Sequence, residues 1–97
     1  MSNLKVKVKY LTILRELTGH IEETFELEDG MCLEDLIEKI VTKYGEKVRR
    51  HLYADEKQKV LNTIILINGR HMNMLQGLKT KLNNGDIVTI TLPAGGG

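Results

Sequence analysis

The sequence predicts an α+β domain in which a mixed sheet of four to five strands packs on one main helix. Three observations carry that reading. Apolar and polar residues alternate over residues 4–10, 21–27 and 87–92, the period of strands with one buried face. Between the second and third of these, Leu33, Leu36, Ile37, Ile40, Val41 and Tyr44 fall at the spacing of one helical face. The length, 97 residues, suffices for one modest core and not for two.

The first strand sets Leu4, Val6, Val8 and Tyr10 on one face and Lys5, Lys7 and Lys9 on the other. A short, helix-prone connection over residues 11–17 follows, closed by Thr18-Gly19. In the second strand Ile21, Phe25 and Leu27 share one parity, and Glu22, Thr24 and Glu26 the other. Antiparallel pairing would lay a lysine row beside a glutamate row on the solvent face, where opposite charges support each other. That complementarity predicts a hairpin. Asp29-Gly30 then breaks the chain, and the main helix begins at Leu33. Cys32 takes the N-cap position, a weaker cap than serine or threonine, with Asp35 three residues on. Gly45 stands where a C-terminal cap belongs.

Residues 46–62 are polar and partly basic, and read as a connection with some helical turn. Residues 63–67 read as a buried strand ending in the turn Asn68-Gly69, with a short return strand over residues 70–72. Residues 75–82 hold few strand formers and read as a single helical turn. Asn84-Gly85-Asp86 turns the chain into the last strand, and Pro93 stops it, having no N–H for the ladder. The order is strand, strand, helix, strand, short strand, strand. One helix across one face of such a sheet is the β-grasp arrangement.

Composition removes several function classes. A formal net charge of +1 implies neither nucleic acid nor an anionic membrane as an electrostatic partner. The longest apolar run, residues 64–67, is far too short to span a bilayer. The alternating first strand is not a signal peptide, so a cytoplasmic location is expected. Cys32 is the only cysteine, which excludes an internal disulfide and a cysteine-based metal site. Ser2 is the only serine, and His20, His51 and His71 lack ligand spacing. No metal site and no self-contained hydrolase are expected. Cys32 reads as a half-buried cap, Met72 and Met74 as core filling, and Lys47, Arg49, Arg50 and His51 as a solvated face.

The chain resembles the MoaD/ThiS family of ubiquitin-like sulfur carriers over essentially its whole length. The resemblance rests on Val6-Lys7-Val8-Lys9-Tyr10, Leu14-Arg15-Glu16-Leu17-Thr18-Gly19, Gly30-Met31-Cys32-Leu33-Glu34-Asp35-Leu36 and Ile67-Asn68-Gly69. The most telling stretches are Asn84-Gly85-Asp86-Ile87-Val88 and Leu92-Pro93-Ala94-Gly95-Gly96-Gly97. The Leu-Arg-Glu-Leu-Thr-Gly stretch and the length favour the MoaD side. The chain departs from the family in having three final glycines instead of two, and Cys32 where a threonine is common. It also lacks the second proline or aromatic residue often found near Pro93.

The resemblance implies a ubiquitin-like domain over residues 1–92 and a flexible tail over residues 93–97, with Gly97 as the reacting terminus and Pro93, Ala94, Gly95 and Gly96 threading a partner's channel. The chemistry suits glycine. A carboxylate is a poor electrophile until it is joined to AMP, and a glycine end has no Cβ to clash on its way to a nucleotide site. Five residues from Pro93 reach roughly 16 Å when extended. The implied protein is no enzyme and binds no cofactor of its own; an E1-like adenylating enzyme of the MoeB/ThiF kind supplies the ATP chemistry. A persulfide attacking the adenylate yields a thiocarboxylate, which delivers sulfur in a MoaE-like large subunit of molybdopterin synthase. A lysine attacking instead yields an isopeptide, so a protein modifier joined to target-protein lysines is the alternative. The third reading is a β-grasp interaction domain with an inert tail.

Overall fold

A computed structural model of the protein describes residues 3–53 and 63–92. The elements run β1 (Asn3–Tyr10), α1 (Ile13–Thr18), β2 (Glu22–Glu28), α2 (Leu33–Tyr44), α3 (Glu46–Leu52), β3 (Ile64–Ile67), β4 (Arg70–His71) and β5 (Ile87–Thr91), with single 3-10 turns at Met72–Met74 and Gly77–Lys79. The strands form one mixed sheet in the order β2-β1-β5-β3-β4. β1 pairs antiparallel with β2 and parallel with β5, and β3 pairs antiparallel with β5 and β4. The core is single. Leu33, Leu36, Ile37 and Ile40 of α2 are buried with Val6, Val8, Tyr10, Leu27, Ile65, Ile67, Val88 and Ile90 of the sheet. Each such aliphatic side chain contributes about 1.5–3 kcal/mol by leaving water.

The hairpin has the predicted register, with Lys5 opposite Glu26 and Lys9 opposite Glu22. Its one ion pair is diagonal, Lys7 to Glu22 at 3.7 Å. The main helix has the predicted bounds, and its cap is stronger than Cys32 alone would make it. The Asp35 carboxylate accepts from the Cys32 backbone N–H at 2.9 Å and from its Sγ at 3.4 Å. These two donors hold the Asp35 carboxyl below its ordinary range, and a negative charge there also suits the helix dipole. At Asn68-Gly69 both φ angles are positive, 52° and 84°, as a tight two-residue hairpin turn requires.

Four expectations need correction. Residues 46–52 form a seven-residue helix where a connection with some helical turn was expected, because Val48 and Leu52 reach the core four positions apart; residues 54–62 of that connection lie outside the described residues. Residues 63–67 are not buried throughout: Ile65 and Ile67 point into the core while Ile64 and Leu66 take the other face and are half-buried. Ile21 precedes β2 instead of filling the core and is 64% exposed. Met74 is 78% exposed, and only Met72 packs against the core.

Two polar clusters fasten the frame. Glu23 sits on the apolar parity of β2, with only 8% of its side chain exposed. Its carboxylate accepts from the Tyr10 hydroxyl at 2.8 Å, from Lys43 Nζ at 2.6 Å and from the Tyr44 hydroxyl. It thereby ties β1, β2 and the end of α2 together. Burial pushes this carboxyl up, but the bonds from Lys43, Tyr44 and Tyr10 outweigh it and leave the group below its ordinary value. Burial and then the Glu23 charge push the Tyr10 hydroxyl above its ordinary range. At the opposite end of the sheet, buried Asp86 accepts from Asn68 Nδ2 at 2.9 Å and from the Asn83 N–H at 2.8 Å. Asn68 Oδ1 in turn accepts from the Ile87 N–H at 2.9 Å, which locks the β3–β4 turn to the start of β5.

Replacing Glu23 by Gln is expected to cost about 1–3 kcal/mol near neutral pH. A carboxyl lowered by folding contributes fully above its unfolded value, and that contribution is lost as pH falls through the folded value. The gap between the two proteins in urea unfolding therefore narrows on acidification; a gap that stays constant to about pH 3 contradicts this account of Glu23. Asp86→Ala leaves two donors without their acceptor, and a fall in Tm of roughly 5–20 °C is expected in calorimetry.

Candidate functional site

The candidate site is built outward from β5, since the five residues expected to carry the chemistry follow it. Pro93, Ala94, Gly95, Gly96 and Gly97 all lie outside the described residues. What the structure describes is their root. Val88 and Ile90 are buried among the helices, and both edges of β5 are hydrogen-bonded, to β1 with Val8 opposite Val88 and to β3 with Ile65 opposite Ile90. The Leu11 N–H donates to the Ile90 carbonyl at 3.1 Å, and Thr91 still pairs with Ile64. The backbone is therefore fixed to within two residues of Pro93 on the β3 side and three on the β1 side.

The structures flanking that root are held as firmly. Arg15 Nε donates to the Tyr10 carbonyl at 2.9 Å, so α1 is fastened to the last residue of β1. The Thr18 hydroxyl donates to the Leu14 carbonyl at 2.8 Å, and Gly19 closes α1 in the left-handed region with φ 76°. Thr63, immediately before β3, is buried, and its Oγ1 is the one buried side-chain oxygen among the described residues without a partner.

A second feature is the sheet face turned away from α2. Directly opposed residues of neighbouring strands share a face, so the registers place Lys5, Lys7 and Lys9 of β1 with Glu22, Thr24 and Glu26 of β2, Ile87, Thr89 and Thr91 of β5, and Ile64 and Leu66 of β3. This face has a charged half on β1 and β2 and an uncharged half on β5 and β3, whose apolar part is Ile87, Ile64 and Leu66. Of its apolar residues, Ile64 stands opposite Thr91 at the end of β5 nearest Pro93, and Ile87 stands at the other end of that strand. Ile87 is 37% exposed, and Ile64 and Leu66 are half-buried and lie outside the core cluster.

The remaining sequence candidates take structural places. Cys32 is half-buried and bonded to Asp35, as its capping position predicts. On α3, Arg49 Nε donates to Glu46 Oε1 at 2.9 Å, while Lys47 and Arg50 are exposed. His20 is exposed, His51 donates through Nδ1 to the Lys47 carbonyl at 2.9 Å, and His71 Nδ1 accepts from the Asn73 N–H at 3.0 Å. Among the described residues no three His, Cys, Asp or Glu side chains are grouped to hold a metal ion, and no helix is long and apolar enough to cross a membrane. Sequence reasoning missed the apolar part of the open face. Its signal was the unbroken run Ile64–Ile67, in which a strand must send every second residue away from the core.

Comparison with known proteins agrees with this geometry. The ThiS family model matches residues 8–97. The molybdopterin synthase sulfur carrier subunit of Chlamydomonas reinhardtii is 32% identical over 97% of this chain and all of its own length. Small archaeal modifier protein 3 of Haloferax volcanii is 24% identical over the same shares. The solution structure of small archaeal modifier protein 1 from Methanosarcina acetivorans superposes with a TM-score of 0.77 at 31% identity, covering all of both chains. The order of elements, the ubiquitin-like β-grasp sheet and the match across nearly the whole sequence together establish that the chain belongs to the ThiS family, on the MoaD-like side of it.

Proposed function

We propose that the protein is a sulfur carrier acting as the small subunit of molybdopterin synthase, with the Gly97 carboxylate as its working group. The observation that carries this reading is a glycine tail rooted on the central strand of a ThiS-family domain. An E1-like enzyme joins the carboxylate to AMP from ATP, releasing pyrophosphate. A persulfide sulfur then displaces AMP, and thiol cleavage of the resulting S–S bond frees the thiocarboxylate. The carrier supplies the terminus and a docking surface; ATP belongs to the partner. The root geometry supports this division, because a tail anchored at Thr91 starts from a fixed point relative to the apolar part of the open face. That part, Ile64, Leu66 and Ile87, seats the activating enzyme, and Pro93, Ala94, Gly95 and Gly96 run into its channel.

A second reading shares the activated carboxylate. Two of the compared proteins are named small archaeal modifier proteins, which favours conjugation to lysines of other proteins. Conjugates of higher mass that survive reducing agent and vanish when Gly96 and Gly97 are deleted would establish it.

The test is adenylation by the E1-like enzyme of the same organism, followed as ATP–pyrophosphate exchange. Deleting Gly96 and Gly97 is expected to abolish exchange while leaving Tm unchanged. Exchange at the full rate after that deletion overturns the proposal and leaves the inert-tail domain. Leu66→Asp combined with Ile87→Asp is expected to lower exchange at least tenfold at limiting carrier, through KM, with the tail intact; an unchanged KM removes the open face from the contact.

A further inference from the structure

The sheet has an outer edge that the tail chemistry does not use. β2 closes the strand order on one side, and among the described residues nothing pairs with its outer backbone. The Tyr10 N–H donates to the Ile21 carbonyl, which sets the phase of the hairpin ladder. Alternation then turns the N–H and C=O groups of Glu23, Phe25 and Leu27 toward β1, and those of Glu22, Thr24, Glu26 and Glu28 outward. The Glu28 carbonyl is taken by the Met31 N–H at 3.1 Å. Glu22, Thr24 and Glu26 therefore present a short, straight row of free donors and acceptors.

Beside this edge, between β2 and α2, lies an open groove of about 570 Å³. Phe25 and Met31, both packed against the core, supply its apolar part. Glu26, Asp35, Glu38 and Lys39 line its polar part. Asp35 is engaged by Cys32, and among the described residues no cation lies within ion-pair reach of Glu26, Glu28 or Glu38. Lys43, also on this groove, is already bonded to Glu23. Glu26, Glu28 and Glu38 outnumber Lys39, the remaining cation on the groove, so the edge and groove carry a net negative charge.

The side chains of β2 face both of its neighbours alike, so the pattern of β1 shows what the free side accepts. There Lys5 and Lys9 stand opposite Glu26 and Glu22, and Leu4 and Val6 stand opposite Leu27 and Phe25. We propose that the outer edge of β2 and the adjoining groove bind an extended peptide of alternating basic and apolar residues by strand addition. Backbone bonds to Glu22, Thr24 and Glu26 hold the peptide, its apolar residues enter the groove over Phe25 and Met31, and its Lys or Arg residues meet Glu22, Glu26 and Glu28. This is a second contact surface, on a different edge of the molecule from the root of the tail.

The probe is a capped synthetic peptide with the sequence of β1, Leu-Lys-Val-Lys-Val-Lys-Tyr, titrated into the full isotope-labelled chain and followed by NMR. Saturable shifts and slowed hydrogen exchange are expected at the Glu22, Thr24 and Glu26 amides, and a control peptide with Glu for each Lys is expected to bind at least tenfold more weakly. Thr24→Pro removes an outward N–H without touching the β1 ladder, and is expected to abolish binding. Should that variant unfold, Glu26→Lys with Glu38→Lys, both at exposed sites, is expected to weaken binding at least tenfold with the fold intact. Deleting Gly96 and Gly97 leaves peptide binding unchanged, so this result is independent of the tail chemistry. Shifts centred on Ile64, Leu66 and Ile87, equal binding of the acidic control, absence of saturable shifts, or a dimer formed through β2 without peptide would each overturn the proposal.

Discussion

The structure depends on one strand in the middle of the sheet. β5 comes last of the described elements yet lies between β1 and β3, so it alone joins the β1–β2 hairpin to the β3–β4 hairpin. Its parallel pairing with β1 demands that the chain between them cross over the sheet, and α2 is the element that does so. Val88 and Ile90, fully buried, bring β5 into the core beneath that helix. Everything else serves this insertion. Asp86 and Asn68 fix where β5 begins, and the Leu11 N–H and Ile64 fix where it ends.

The insertion also separates the working parts. The helix-covered face is occupied by the core, which leaves the opposite face and the outer edges for contact. On the open face the sequence divides charge by strand, with lysines and glutamates on β1 and β2, and Ile87, two threonines, Ile64 and Leu66 on β5 and β3. Ile64, opposite Thr91, brings this apolar surface to the end of β5 nearest Pro93. The edge of β2 lies at the far side of the charged half.

Much of this was legible in the residues. Alternation marks β1, β2 and β5, the charge rows of Lys5, Lys9, Glu22 and Glu26 set the first register, and the spacing from Leu33 to Tyr44 gives α2 its bounds. The Asn68-Gly69 turn is where glycine and asparagine must be to allow positive φ. What stayed hidden depends on tertiary placement. Nothing local says that β5 enters the centre of the sheet or that Ile64 and Leu66 face outward. Glu23 breaks the apolar parity of β2 and looks like a surface charge until Tyr10, Tyr44 and Lys43 converge on it from 13 to 21 residues away. The helix α3 hides in a polar stretch because only Val48 and Leu52 mark its buried side. The tail was legible as composition alone, in the run Gly95-Gly96-Gly97.

Intact-mass measurement of the untagged protein purified from its own cells, with fragmentation to locate any change, addresses the terminus directly. One oxygen exchanged for sulfur at the Gly97 carboxyl is the predicted result. A plain carboxylate at Gly97 that also fails to accept AMP from the host's E1-like enzyme would contradict both carriage and conjugation, and would leave a β-grasp domain that works through its surfaces alone.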